Sequence, residues 1–420
     1  PRNTSGAVKA GDLTTMKLKE GAMLSYNESR FVYITNAPGM GSMMPPMSSP
    51  DGNQGGSYSF PADSLQMFAT VLYDLPSDQS MAKDDRYESV MKEAGDMHVW
   101  INNELAYGQM ASGMLSMLKV NSLFDKNATG MALNFDNGKI AVSSKQFFSD
   151  DVRKLLEKYP AKDISADVIN RIPSQNVVAA FVMNYPPEGL KAFLKLVGFD
   201  GAVNAYLQEV GYSMDEFVKA NKGEILISVS DLQPSKPGDT SSANPGAQSM
   251  VPPAVPDVKV LFATSINDKA AFDKLVGTLT AKFGDITKSE GFPAVNYGLN
   301  KDWFAAGNAK DQVDQFLAGG SNKQGFASRI SGQPFGAFVD LQKIMTNFSG
   351  GVNDTTARKA MDASLKMWQD ILITGGKVKN GSLNYEAEIN LVNKSENSLK
   401  QLNRYFDELS LYKKSGTVNF

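Results

Sequence analysis

A strand that runs straight into a helix, then a hairpin, then an amphipathic helix: this order recurs along the chain and leaves few folds open. Strand 97–103 leads into helix 104–119, strand 178–183 into helix 187–197, and strand 335–340 into helix 341–348. Hairpins follow at 131–142 and 377–389, turning on Asn137-Gly138 and Asn380-Gly381. Asn-Gly between alternating residues is the strongest short hairpin signal, because both positions tolerate positive φ in a type I′ turn. Closing helices are expected over 150–159, 269–283 and 397–409. In the middle one Ala271, Leu275, Val276, Leu279 and Phe283 recur at helical spacing. The programme is therefore strand–helix–strand–strand–helix. An antiparallel sheet with helices on one face satisfies it, which predicts an α+β protein of tandem ferredoxin-like modules.

The expected units are a partial repeat over 1–95, modules over 96–175 and 176–330, and a C-terminal module over 331–420. The second module carries an extra piece: strands 294–299 and 303–308, then helix 310–317. At the N-terminus a hairpin over 23–36 leads to helix 62–73, so the chain is expected to begin in the middle of a repeat. Two segments are foreign to this pattern. Residues 37–60 (APGMGSMMPPMSSPDGNQGGSYSF) are rich in Gly, Pro, Ser and Met, and residues 232–256 (LQPSKPGDTSSANPGAQSMVPPAVP) hold six prolines. Neither buries enough apolar surface to offset the entropy of ordering, so both read as mobile insertions that folding does not need. The second lies between two convincing strands, 224–230 and 257–265, and is expected to enlarge a hairpin loop.

Composition narrows the function classes. Of 420 residues 42% are hydrophobic and 21% charged, an ordinary globular balance. A net charge of −3 supplies no basic footprint for nucleic acid. The absence of cysteine removes disulfides, thiolate metal sites and cysteine nucleophiles, and a single histidine removes most zinc sites and acid–base relays. The longest apolar run, 177–183, is strand-sized and far short of a bilayer span. The chain opens on Pro-Arg-Asn-Thr-Ser-Gly, without initiator methionine or signal peptide, as expected of a processed product.

From 96 to 341 the sequence resembles a family of Bacteroidota cell-envelope lipoproteins known only as a domain of unknown function. The resemblance is carried by Asp96-Met-His-Val-Trp-Ile-Asn, Leu133-Asn-Phe-Asp-Asn-Gly-Lys-Ile and Ile172-Pro-Ser-Gln-Asn-Val-Val-Ala-Ala-Phe-Val-Met-Asn. Lys222-Gly-Glu-Ile-Leu-Ile-Ser-Val-Ser-Asp and Phe262-Ala-Thr-Ser-Ile-Asn-Asp-Lys-Ala-Ala-Phe-Asp-Lys-Leu add to it. It implies export, membrane attachment through a lipidated N-terminal cysteine absent from this chain, and a place at the outer membrane or in the periplasm. It implies no reaction.

Polar motifs have structural explanations. His98 alternates with its strand neighbours and lacks a nucleophile elbow to serve, so it reads as a sheet-face histidine. Asp125 to Gly130, with Asp136, imitates a calcium loop, but Thr129 and Asp136 stand where such a loop needs other ligands and a strand follows; a helix-to-strand turn is expected. Met40, Met43, Met44 and Met47 admit three readings: a Met-rich loop, a contact surface, or thioether ligands for Cu(I). Met110, Met114 and Met117 lie at helical spacing and read as core or interface. Asp84-Asp85, Asp150-Asp151 and Asp215-Glu216 precede or open helices, where carboxylates favour the dipole. Asp63-Ser64-Leu65 and Asp354-Thr355-Thr356 resemble the O-glycosylation signal of exported Bacteroidota proteins, and Asp63-Ser64 also suits a helix cap. Gly319-Gly320 and Gly350-Gly351 read as helix ends.

No catalytic, cofactor-binding or metal-ligating residue is assigned. The leading expectation is a non-enzymatic exported lipoprotein, a binding or scaffold module for an envelope protein partner. The alternative is a solute- or glycan-binding lipoprotein with an inter-module cleft using Trp100, Trp303 or Trp368, although three tryptophans in 420 residues read more readily as core. A hydrolase built on paired carboxylates is the third reading. A dry apolar pocket would favour the second, and a pocket holding carboxylates of perturbed pKa the third.

Overall fold

The computed structural model describes residues 7–10, 13–18, 22–28, 31–34, 62–76, 80–104, 121–234, 257–283, 295–320, 322–352 and 354–414. The four clustered methionines Met40, Met43, Met44 and Met47 lie outside these residues, as do Met110, Met114 and Met117. The chain divides into two compact units, Pro1–Glu88 and Ser89–Phe420.

In the first unit β1 (Ala7–Ala10), β2 (Leu13–Lys17), β3 (Met23–Tyr26) and β4 (Phe31–Ile34) form an antiparallel meander. The hairpin expected over 23–36 is its second half. Thr15 and Ser25 face each other across β2 and β3 with hydroxyls 3.0 Å apart. The helix Ala62–Tyr73 is tied to β3 where the Tyr73 hydroxyl donates to the Ser25 carbonyl, 3.1 Å.

The second unit is organised by one eleven-stranded sheet. Its strands are β5 (Met97–Asn102), β6 (Ala128–Asp136), β7 (Lys139–Phe147), β8 (Val177–Asn184), β9 (Asn221–Gln233) and β10 (Asp257–Ile266). Next come β11 (Asn296–Leu299), β12 (Trp303–Gly307), β13 (Phe335–Asp340), β14 (Trp368–Lys379) and β15 (Ser382–Leu391). The order is β11-β12-β10-β9-β8-β13-β14-β15-β7-β6-β5, every pairing antiparallel. The α+β class with a large antiparallel sheet is as read from the sequence.

The strands of all three programmes join this one sheet, and within each programme they are direct neighbours. A ferredoxin-like module would place another strand between the two joined by its crossover helix. The helices explain the difference. One helix carries the chain to the far end of a sheet and suits a parallel partner, whereas an antiparallel neighbour must start where its predecessor stopped. After β13 the helix Leu341–Ser349 is followed by a second, Thr355–Met367, which returns the chain for Asp340 to pair with Asp370. After β8, Pro187–Leu196 is followed by Asp200–Glu209 and Met214–Ala220, and Asn184 pairs with Glu224. Of these added helices, Met214–Ala220 is the one that Asp215-Glu216 announces, whereas Asp200–Glu209 and Thr355–Met367 were not expected. The second insertion sits as expected inside a hairpin, since Gln233 pairs with Asp257 across its base.

The two faces of the sheet differ. Val182, Leu226, Ala263 and Ala305 share a register row, and with Phe338 and Leu372 they form the buried face. Val168 and Ile169 of helix Ala166–Asn170, Val313 and Phe316 of Lys310–Leu317, and Ile330 of Ala327–Ile330 pack on it in one core. The opposite row, Thr264–Ile225–Met183–Phe335–Gly375–Tyr385, turns to the other side.

The Asn-Gly turns differ too. Asn380 and Gly381 both have positive φ (52° and 77°), as a type I′ turn requires. Gly138 has φ 69° but Asn137 is not in that region. There the turn is shaped by tertiary contacts: Gly138 N–H donates to the Glu396 carbonyl (2.9 Å), and its own carbonyl accepts from Leu391 N–H (2.9 Å).

A charged network closes the seam between β15 and β7. Arg329 reaches Asp370 (3.3 Å) and Glu388 (3.1 Å), Lys139 reaches Glu388 (2.7 Å), and the Asn390 amide donates to Asp370 (2.9 Å). The Lys139 ammonium, and secondarily the Arg329 guanidinium, hold the Glu388 carboxyl below its ordinary 4.5. A depressed carboxyl contributes stability that is complete above its unfolded value and lost as pH falls through the folded one. Stability from this site is therefore expected to begin to fall below about pH 4.5 and to be gone once pH has passed the depressed folded value. A Lys139→Met, Arg329→Met variant should lose less stability than the parent between pH 6 and pH 3, read as urea midpoints; parallel pH profiles would remove Glu388 from the account.

Candidate functional site

The second unit contains a cavity of about 1050 Å³. Its floor is the half-buried sheet row just described: Ile225, Met183, Phe335 and Tyr385, with Val378 and Leu383 beside them. Its walls are helical. Leu155 and Leu156 come from Asp150–Lys158, Leu190 and Phe193 from Pro187–Leu196, and Phe217 from Met214–Ala220.

The local sequence builds this concavity. Helix Asp150–Lys158 starts at the Ser149 cap, whose hydroxyl accepts from Val152 N–H, with Asp150 and Asp151 in its first turn. Helix Met214–Ala220 starts with a capping box: Ser213 Oγ accepts from Glu216 N–H (3.2 Å) and donates to the Glu216 carboxylate (2.9 Å). Asp84, before the helix Asp85–Met91, accepts from Arg86 N–H, 2.9 Å. The paired acids thus stand where the sequence placed them, at helix starts.

On the floor, Gly375 lies between Phe335 on β13 and Tyr385 on β15, pairing with both. Without a side chain there, the two rings meet edge to face across β14, centroids 5.7 Å apart, and Phe335 meets Phe181 at 5.4 Å. A Cβ on Gly375 would come within 2.3 Å of the Asn384 carbonyl oxygen, and the register of β14 shifts between Gly375 and Lys377. This glycine-based irregularity aims the floor residues and is the feature that sequence reasoning missed. Gly375-Gly376 inside a strand was its available signal.

Polar groups border the cavity sparsely. Lys377 Nζ bonds Asp163 (3.0 Å) and the Gly332 carbonyl (2.6 Å), and Glu157 pairs with Arg153 (3.0 Å). Burial pushes the phenols of Tyr185 and Tyr385 above their usual range. Neither hydroxyl has a hydrogen-bond partner among the described residues.

The three tryptophans are elsewhere. Trp303 is in the core, 6% exposed, edge-on to Phe316 and under the Arg171 guanidinium. Trp100 packs against Phe147, and Trp368 against Tyr405. The cleft exists, but its aromatic side chains are Phe and Tyr. His98 lies on the edge strand β5, its Nε2 3.0 Å from the Glu93 carbonyl oxygen. Asp125 stands in a helix-to-strand turn, next to Lys126 at φ 54°, while Asp136 ends β6 at the hairpin. The length of that strand keeps them on the order of 25 Å apart, too far to share a cation. Asp354 accepts from Thr356 and Ala357 N–H, 2.9 and 2.8 Å, as a helix cap. Gly319 and Gly320 follow the helix Lys310–Leu317, and Gly350 caps Leu341–Ser349. Among the described residues no group of three or more His, Cys, Asp or Glu is placed to hold a metal ion, and no helix is long and apolar enough to cross a membrane.

Fold and site together define an α+β protein with an apolar cleft laid across one antiparallel sheet. A family model described as a domain of unknown function (DUF4836) matches residues 56–233, less than half of the chain. The match takes in β5 to β9 and the helical walls of the cleft, and ends before β13 to β15. No curated protein and no solved structure matches the chain.

Proposed function

We propose that the protein is a non-enzymatic binding module that holds a small apolar molecule in the cleft between its repeated units. The cavity supports this reading. It stands at the upper end of the size range of small-molecule sites, and its lining is mostly aliphatic and aromatic. Its walls and floor come from residues 155–163, 183–225 and 334–385, one stretch from each strand–helix–strand–strand–helix programme, read here as tandem modules fused through a shared sheet. Sparse polar groups suit an apolar solute better than a glycan, which needs many directed hydrogen bonds. Among the described lining residues there is no serine, threonine or histidine to act as a nucleophile or neutral-pH base. Export and lipid anchoring at the Bacteroidota cell envelope follow from the family resemblance, and an envelope protein that delivers or accepts the solute is the partner it implies.

Titration with the neutral fluorophore N-phenyl-1-naphthylamine tests the cleft. Saturable binding at one site per chain is expected. Leu190→Trp, which fills the cavity from its helical wall, should weaken that binding by ~10-fold or more at unchanged melting temperature. Equal binding by both proteins, or none, would overturn the reading.

A further inference from the structure

We propose that the ligand of this cleft is an uncharged amphiphile, whose apolar body lies on the Phe335–Met183–Ile225 floor and whose hydroxyl or carbonyl group bonds the hydroxyl of Tyr185 or of Tyr385. The inference rests on the binding reading above and adds the chemistry of the head group.

Charge is the first discriminator. Glu157, Asp163 and Lys377 are the charged residues bordering the cavity, and each has an opposite charge within the protein. Lys377 also spends a second donor on the Gly332 carbonyl. A carboxylate or ammonium entering the cleft would lose hydration and meet no free counter-charge, a cost that an uncharged ligand avoids.

Hydrogen bonding is the second. Three phenols border the same cavity, those of Tyr159, Tyr185 and Tyr385; burial acts on Tyr185 and Tyr385, and neither of these two hydroxyls has a hydrogen-bond partner among the described residues. Closing an apolar body over them without a bond would strand two polar groups. The Tyr385 ring is fixed by its edge-to-face contact with Phe335, and the Tyr185 backbone by its N–H bond to the Gly223 carbonyl, 2.9 Å. Burial keeps both protonated near neutral pH, so both can donate. An alcohol, ester or ketone accepts such bonds; a hydrocarbon cannot.

Displacement of N-phenyl-1-naphthylamine from the full chain by dodecan-1-ol, dodecane, dodecanoate and dodecyltrimethylammonium separates these classes. Dodecan-1-ol should compete about 10-fold better than dodecane and better than either ion, the gain expected of one or two net hydrogen bonds. In the Tyr185→Phe, Tyr385→Phe variant the alcohol should fall to the level of dodecane. An ion that competes as well as the alcohol, or an alcohol advantage that survives the double substitution, overturns the head-group assignment while leaving the cleft reading intact. Failure of the fluorophore itself to bind saturably overturns both.

Discussion

Truncating Phe316 to alanine is expected to cost about 4 kcal/mol of folding stability, the largest effect of any single change considered. Phe316 is fully buried on helix Lys310–Leu317 and stands edge-on to Trp303, centroids 5.4 Å apart. The Arg171 guanidinium lies 5.9 Å from its ring, and the same arginine donates to the Phe316 carbonyl, 3.3 Å. Removing the ring forfeits its burial and leaves a void that a sheet on one side and a helix on the other cannot collapse. Urea unfolding followed by tryptophan fluorescence measures the loss. Phe199→Ala, at a position 37% exposed, should cost less than about 1 kcal/mol. Similar midpoints for the two variants would mean that the helix does not anchor the core.

A second large effect is expected at Gly223, where alanine should cost about 3 kcal/mol. Two penalties coincide. Its φ of 105° lies where L-residues are strained, and an added Cβ would stand 1.9 Å from the Tyr185 carbonyl oxygen. The obstacle is backbone, so no side chain can rotate away, and the segment that bears Tyr185 must move. Gly211 supplies the control: φ is 67° but nothing lies within 4 Å of its Cβ. Alanine there should cost only about 1 kcal/mol, the conformational part alone. Equal losses at both positions would show that the close approach to Tyr185 is unimportant. A larger loss at Gly223, accompanied by weaker fluorophore binding, is the expected pair of results.

Much of the second unit was legible because its signals are local. Asn380-Gly381 announces its turn by requiring two positive φ angles, and the helices Lys269–Phe283 and Lys310–Leu317 stand where spacing put them. Helix Asp200–Glu209 escaped notice for a physical reason: it buries no residue, so its sequence carries no strong face. The cleft was illegible for another. Its floor is assembled by register, which sets Ile225, Met183, Phe335 and Tyr385 side by side from four strands, and single-strand alternation cannot report which strands become neighbours. The tryptophans fit their expected place as packing residues: core packing claims Trp303, and Trp100 and Trp368 pack on Phe147 and Tyr405.

The pairing of β7 with β15 joins residues 139–147 to residues 382–390. During translation these partners are made far apart in time. At a synthesis rate of about 5–20 residues per second, roughly 10–50 s separate the emergence of β7 from that of the strand that covers it. Through that interval the β5–β6–β7 hairpins are complete on one side only, and β7 offers an open row of backbone donors and acceptors to any other nascent strand. The oldest part of the sheet is thus the last to be secured, and a factor that shields unfinished chains has its longest task at that edge. A ribosome stalled before residue 382 would release a product that lacks the strand with which β7 pairs.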